Sequence, residues 1–421
     1  MRTVHVSELG SGLIRRNPVY RDVKKIIDDV RRDGDAALRM YTKRFDGAEL
    51  KHIRVPGERI EQAVCDPEYE VAMGTCIEHL KRFAVRQREQ LKNFDYEVVP
   101  GVRLSQVLVP ISRVGVYVPG GRYPLVSSLL MCAVPARVAG VEEIAVCTPP
   151  SGDGDVHPCL LSACRMLDID EVYSIGGAQA IAAMAYGTET VRPVDKIVGP
   201  GNIYVTSAKK EVYGDAGIDM LAGPTELLII ADESADPELI AADLLAQAEH
   251  DENALPVLIT TSRTLAEAVQ SEIKRQLAAL ETRETAERCI EKNGLILMAD
   301  SAEQCAEMAN KMSPEHLEIH VRNAEEVVRG LRNYGSLFIG KYSAEVLGDY
   351  SSGLNHTLPT SRIARYRGGL NVFDFLKVLT TLSADAAGFR RIAQAAETLA
   401  TLEGLHGHAE SVRLRLKPSG R

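Results

Sequence analysis

Two successive sets of short β-branched runs, each run followed by a helical stretch, constrain this chain more than any other feature. The first set is VGVYV (114–118), IAVCT (144–148), EVYSI (171–175) and KIVG (196–199). The second is LLIIA (227–231), VLIT (257–260), LILM (295–298), LEIHV (317–321) and SLFIG (336–340). Strands that alternate with helices of 10–15 residues build parallel sheets, because a parallel return needs a crossover of helical length. Two such sets in 421 residues predict two similar α/β domains packed together. The sets share too little sequence to be a repeat.

The flanks read as helical. VKKIIDDVRRDGDAALRMYTKRF spaces Val23, Ile26, Ile27, Val30, Leu38 and Tyr41 for one helical face, with a break at Gly34. AMGTCIEHLKRFAVRQREQL reads as a long charged helix ahead of a linker near Pro100. The tail from about residue 376 is again helical and ends in the strand-like SVRLRLK. The expected divisions are an N-terminal helical segment (1–104), a Rossmann-like domain (105–226), a second such domain (227–375) and a C-terminal tail (376–421).

Charge and cysteine usage narrow the function. Lys+Arg 49 against Asp+Glu 58 gives a net charge of −9, with no run of five basic residues, which disfavours nucleic acid and anionic membranes as partners. The opening residues lack the apolar core of a signal peptide, and no stretch approaches the roughly 18–20 apolar residues of a membrane span. The eight cysteines include no CxxC pair and sit mostly in apolar settings such as IAVCT and LLMCAVP. They read as reduced core residues of a cytoplasmic protein.

No GxGxxG follows any strand, so the common dinucleotide turn is absent. Three other glycine turns do stand at strand ends: Val118-Pro119-Gly120-Gly121, Ile175-Gly176-Gly177-Ala178-Gln179 and Gly199-Pro200-Gly201-Asn202. A helix starting beneath such a turn offers free N–H groups to a phosphate. Each turn alone reads more readily as a tight βα connection without a ligand. Three in one domain, ending in polar Gln179 and Asn202, argue for a nucleotide.

Several histidines fall in polar constellations. Gln247 and His250 are i, i+3 in LLAQAEHDENA; Asp349 and His356 flank a glycine-containing loop; Glu403, His406 and His408 cluster near the end. Gln247, His250, Asp349 and His408 could supply two nitrogens and two oxygens to a borderline metal such as Zn²⁺, or be hydrogen-bonded structural residues. Glu315-His316 has the composition of a general acid/base pair. It is no HExxH motif: in His316-Leu-Glu-Ile-His320 the glutamate comes one place too late and the segment reads as strand.

The segments VRRDGDAALRMYTKRFDG, VGVYVPGG, PARVAGVEEI, IGGAQAIAAMAYGTE, KIVGPGNIYVT, IDMLAGPTE, LLAQAEHD, SPEHLE, GDYSSGLNH and EGLHGH together resemble the histidinol dehydrogenase family through nearly the whole chain. The resemblance implies an aldehyde dehydrogenase-like fold of two incomplete Rossmann-like domains. It also implies a homodimer whose C-terminal tail completes the partner's active site, and no nucleic-acid or membrane partner. The implied reaction is the last step of histidine biosynthesis, oxidation of L-histidinol to L-histidine by two NAD⁺ through bound histidinal. It further implies one Zn²⁺ per subunit on Gln247, His250, Asp349 and His408. Glu315 and His316 match the catalytic pair, His316 as general base and Glu315 activating water. Thr225, Gln247, His250, His316, Asp349, His356, Glu403 and His408 match substrate contacts, and Tyr117, Gln179 and Asn202 match NAD contacts. Two departures stand out: Thr225, where serine is usual, and Arg122-Tyr123-Pro124 after the first glycine turn. They leave room for a paralogue oxidising another polar alcohol, such as a sulfopropanediol, although Glu403 would repel a sulfonate. A catalytically silent zinc-binding homodimer is the third alternative.

Overall fold

The computed structural model describes residues 1–8, 21–120, 124–151 and 154–417; Gly121, Arg122 and Tyr123 of the first glycine turn lie outside them. The strands are β1 (Arg2–His5), β2 (Phe94–Val99), β3 (Val102–Pro110), β4 (Arg113–Tyr117), β5 (Glu143–Thr148), β6 (Glu171–Ser174) and β7 (Lys196–Val198). They continue as β8 (Gly217–Ile218), β9 (Glu226–Ala231), β10 (Leu255–Thr260), β11 (Leu295–Met298), β12 (His316–His320), β13 (Ser336–Ile339) and β14 (Leu376–Ala384).

Both expected parallel sheets form. The first has the order β6-β5-β4-β7-β8, and the second β1-β11-β10-β9-β12-β13. Their central strands are buried on both faces, β4, β9, β10 and β12 along their whole length; β4, β9 and β10 are mostly apolar or β-branched accordingly, whereas β12 also buries His316, Glu318 and His320. The crossover helices Val126–Ala139 and Gly177–Tyr186 are buried almost all round. Val23, Ile26, Ile27, Val30, Leu38 and Tyr41, from the first two helices, pack on the face of the first sheet with Ile181 and Met184. The long helix Pro67–Arg88 forms as read.

Four expectations need correction. Arg2–His5 is a strand that adds to the edge of the second sheet, so the N-terminal segment is not wholly helical. The supposed linker near Pro100 is the turn of a β2–β3 hairpin. The tail opens with β14, antiparallel to β3 (Leu376 opposite Pro110), and its last stretch is the helix His406–Leu416 rather than a strand. Non-local pairing decides the first three, since each strand's place depends on a partner or fold that local pattern does not specify. Finally, Cys65 and Cys159 form a disulfide across 94 residues, tying the segment before helix Pro67–Arg88 to helix Pro158–Met166. The other six cysteines are buried and take part in no disulfide. Among the described residues no helix is long and apolar enough to cross a membrane.

Candidate active site

At the carboxyl edge of the first sheet the expected nucleotide residues take defined places. Tyr117 ends β4, is buried, and its hydroxyl accepts the Gly177 N–H at 3.0 Å. Gly199, after β7, has φ +115°, and a Cβ there would lie 2.1 Å from the Tyr117 carbonyl oxygen, so only glycine fits the turn. A buried ion pair braces it: Asp219 accepts the Gly199 N–H at 2.7 Å and pairs with Lys209 at 2.6 Å. Asn202 caps helix Ile203–Val212, accepting N–H groups of Tyr204 (3.0 Å) and Val205 (3.1 Å). Gln179 is 1 % exposed, yet neither its amide oxygen nor its nitrogen has a partner among the described residues. An amide left so costs roughly 1–3 kcal/mol, which a polar ligand would relieve.

The acid/base pair stands at the amino edge of the second sheet. Thr225 and Glu315 immediately precede neighbouring strands β9 and β12, and His316 opens β12 opposite Leu227. Glu315 Oε2 accepts from Thr225 Oγ1 (2.7 Å) and from the Glu226 N–H (2.9 Å). Burial pushes the Glu315 carboxyl well above the usual range. His316 Nδ1 is 3.2 Å from the Glu226 carbonyl oxygen. A carbonyl only accepts, so the ring proton sits on Nδ1 and Nε2 keeps its lone pair. Burial lowers the His316 pKa to about 3, leaving the ring neutral at pH 7.

Around Nε2 gather further polar groups. It is buried without a hydrogen-bond partner among the described residues, as is Asp349 Oδ1, which lies 3.8 Å away. His356 Nδ1 is 3.9 Å from the same Asp349 oxygen, and burial lowers its pKa to about 4. Gln247, on helix Pro237–Ala248, is fully buried. One end of its amide is 2.7 Å from Thr225 Oγ1; the other is 2.7 and 3.0 Å from the two carboxyl oxygens of Glu345. Two oxygens would repel, so the amide nitrogen faces Glu345 and the oxygen faces Thr225. His250 lies just past that helix rather than in it, near enough for its charge to act on His316 and His356.

Glu345 is the residue the sequence reading missed. It is buried, opens helix Glu345–Tyr350, and brings Oε1 within 3.1 Å of His316 Nδ1. The signal was present in SAEVLGDY: Glu345 and Asp349 are i, i+4 and share a helix face. Among the described residues no Lys or Arg pairs with Glu315, Glu345 or Asp349. Carboxyl groups and neutral imidazoles crowded together without a cation suit a borderline divalent metal, and the two orphaned atoms, His316 Nε2 and Asp349 Oδ1, face one another across the space. Glu403 and His408 are not brought to this pocket by their own chain. Both are exposed on the tail, and among the described residues neither makes a side-chain bond to the pocket.

Known proteins are similar to this chain along nearly its whole length. The sequence profile of histidinol dehydrogenases fits residues 14–416. The histidinol dehydrogenase of Thermotoga maritima is 47% identical over 401 residues, covering 94% of this chain and 93% of that one. That of Methanocaldococcus jannaschii is 48% identical over 397 residues, covering 94% and 92%. The crystal structure of the Elizabethkingia anophelis histidinol dehydrogenase superposes with a TM-score of 0.92 at 36% identity, over 99% of this chain and 98% of that one. The chain belongs to the histidinol dehydrogenase family.

Proposed function

We propose that the protein oxidises L-histidinol to L-histidine with two NAD⁺, keeping the intermediate histidinal bound. The observation that carries this reading is a neutral, buried His316 whose Nε2 has no partner among the described residues and whose Nδ1 lies 3.8 Å from the Glu315 carboxyl. An alcohol loses hydride readily only as its hydroxyl proton leaves, and His316 Nε2 is the base placed to take it. The second oxidation needs water added to the aldehyde, and Glu315, held by Thr225 Oγ1 and the Glu226 N–H, is the carboxyl that activates it. Burial raises its pKa above the ordinary carboxyl range, which favours a carboxyl that holds a proton and can pass it on. Thr225 and His356 line the pocket and contact substrate.

Gln247, His250 and Asp349 of one chain, with His408, would hold the zinc ion; when bound it orients the substrate's nitrogens and adds Lewis-acid help. Tyr117, Gln179 and Asn202 would hold NAD, the hydride acceptor. Because Glu403 and His408 stand away from their own chain's pocket, the reading includes a homodimer in which each tail completes the other subunit's site. Exposed Leu399, Leu402, Leu405, Leu414 and Leu416 on the tail support such a partner. A biosynthetic role places the enzyme in the cytoplasm.

The test is NAD reduction by purified protein, comparing L-histidinol with 2,3-dihydroxypropane-1-sulfonate. The expected result is two NADH per histidine from histidinol alone, lost on chelation and restored by Zn²⁺. Turnover of the sulfonate alone would move the assignment to another polar alcohol, and no turnover of any alcohol would point to a silent dimer.

A further inference from the structure

Glu345 touches both halves of the machinery at once. Its carboxyl oxygens take the Gln247 amide nitrogen at 2.7 and 3.0 Å, and one of them also lies 3.1 Å from His316 Nδ1. Its own place is fixed from beneath, because the Glu345 N–H donates at 2.8 Å to Glu318 Oε1, a side chain wholly buried on β12 two residues beyond His316. The same helix carries Asp349 one turn later. Helix Glu345–Tyr350 is therefore clamped to the strand that carries the base.

We propose that Glu345 is a positioning residue that sets which end of the Gln247 amide meets the metal and holds the His316 ring in register with it. An amide has one atom able to ligate a cation, its oxygen. A carboxyl group facing the nitrogen turns that oxygen the other way, toward Thr225 Oγ1 at 2.7 Å and the Glu226 N–H at 3.2 Å, the contacts a ligated cation would replace; the Nδ1 contact keeps Nε2 directed at Asp349. Groups one step behind a metal ligand typically control 10–100-fold in metal affinity or activity. A carboxyl can do both tasks because both of its oxygens accept. An amide of the same shape cannot: Glu345→Gln offers one acceptor, so it either points N–H₂ at the protonated Nδ1 or turns the Gln247 oxygen away from the metal.

The inference rests on the proposed zinc and base roles, and the experiment separates the two. Zinc affinity is measured by competition with a chromophoric chelator on wild type, Glu345→Gln, Glu345→Ala and Glu345→Asp, alongside kcat and the KM for NAD. We expect Glu345→Gln to weaken zinc about 10–100-fold and lower kcat by a similar factor, with the KM for NAD unchanged and Glu345→Asp partly restoring both losses. A merely structural carboxyl would tolerate its isostere. Wild-type zinc affinity and kcat in Glu345→Gln would therefore overturn the proposal even if Glu345→Ala failed to fold, and would leave the zinc reading standing. A wild-type chain that takes up no zinc would overturn both.

Discussion

Two buried glutamates at the amino edges of the two sheets meet opposite treatment. Glu171 opens β6 in the first sheet; Glu315 stands just before β12 in the second. Their side chains are almost equally hidden, at 7% and 9% exposure. Glu171 lies in a fork of Arg113, with Arg192 at 3.1 Å and the Tyr173 hydroxyl donating as well. Burial alone would raise its pKa, but these partners outweigh it and hold the group at about 2. Glu315 has only a hydroxyl and one backbone N–H, so desolvation wins and its carboxyl titrates far higher. The lesson is that burial does not decide a carboxyl's role; the compensating cation does. Where the fold supplies one, the glutamate fastens strands; where it withholds one, the carboxyl's pKa rises and the group is suited to moving a proton.

The sharpest way to break this contrast is to remove the uncompensated groups. Glu315→Gln and His316→Asn should each lower turnover by about 10²–10⁴-fold, the range for a lost general acid or base, with little loss of thermal stability, since each leaves a neutral polar group of similar shape in place and buries no new charge. In single-turnover measurements His316→Asn should slow the first hydride step, whereas Glu315→Gln should let histidinal accumulate. A wild-type first step in His316→Asn would remove that residue from its role.

Removing compensation in the first sheet should do the reverse. Arg113→Met leaves Glu171 buried beside only the half-exposed Arg192, and should cost about 3–5 kcal/mol of stability while leaving the KM for histidinol unchanged. The pH dependence gives the sign. The folded pKa of Glu171, about 2, lies below its ordinary 4.5. Its contribution is therefore complete above pH 4.5 and lost as pH falls toward 2. Denaturant unfolding from pH 3 to 7 should show the wild type losing its advantage over Arg113→Met as the solution is acidified. Parallel curves would mean that Arg113 stabilises the fold by something other than its charge.

What the sequence made legible follows the same division between local and distant causes. The parallel strands were legible because most of them are short runs rich in apolar and β-branched residues, as buried parallel strands usually are. Glu315, His316, Gln247 and Asp349 stood out through the resemblance to the histidinol dehydrogenase family, since residue type and spacing alone left hydrogen-bonded structural roles open. β14 was not legible: LKVLTTLSA is exposed along nearly its whole length, and it is a strand only because β3, more than 260 residues earlier, lies beside it. Glu345 escaped because nothing local marks a carboxylate as buried. Its burial depends on β12 and helix Pro237–Ala248 closing over it. The Cys65–Cys159 bond escaped for the same reason, since spacing alone does not say which thiols the fold brings together.

The tail supplies the smallest effect and the most discriminating test of whether one chain is enough. Glu403 is exposed at the end of helix Ala386–Leu402, while the pocket it is proposed to complete is buried. Loss of one charge-assisted hydrogen bond to a cationic substrate is worth about 1.5–3 kcal/mol, so Glu403→Ala should raise the KM for histidinol roughly ten- to a hundredfold with little change in the KM for NAD. That alone does not say whose pocket the residue serves. Mixing does. Unfolding and refolding Glu403→Ala together with His316→Asn produces hybrid dimers in which one pocket has an intact base from the first chain and, if tails exchange, an intact Glu403 from the second. Such a mixture should recover a high-affinity activity that neither variant has alone. If each tail serves its own chain, every pocket in the hybrid carries one defect and nothing is recovered. The absence of complementation, in a mixture shown by mass to contain hybrids, would return Glu403 to its own subunit.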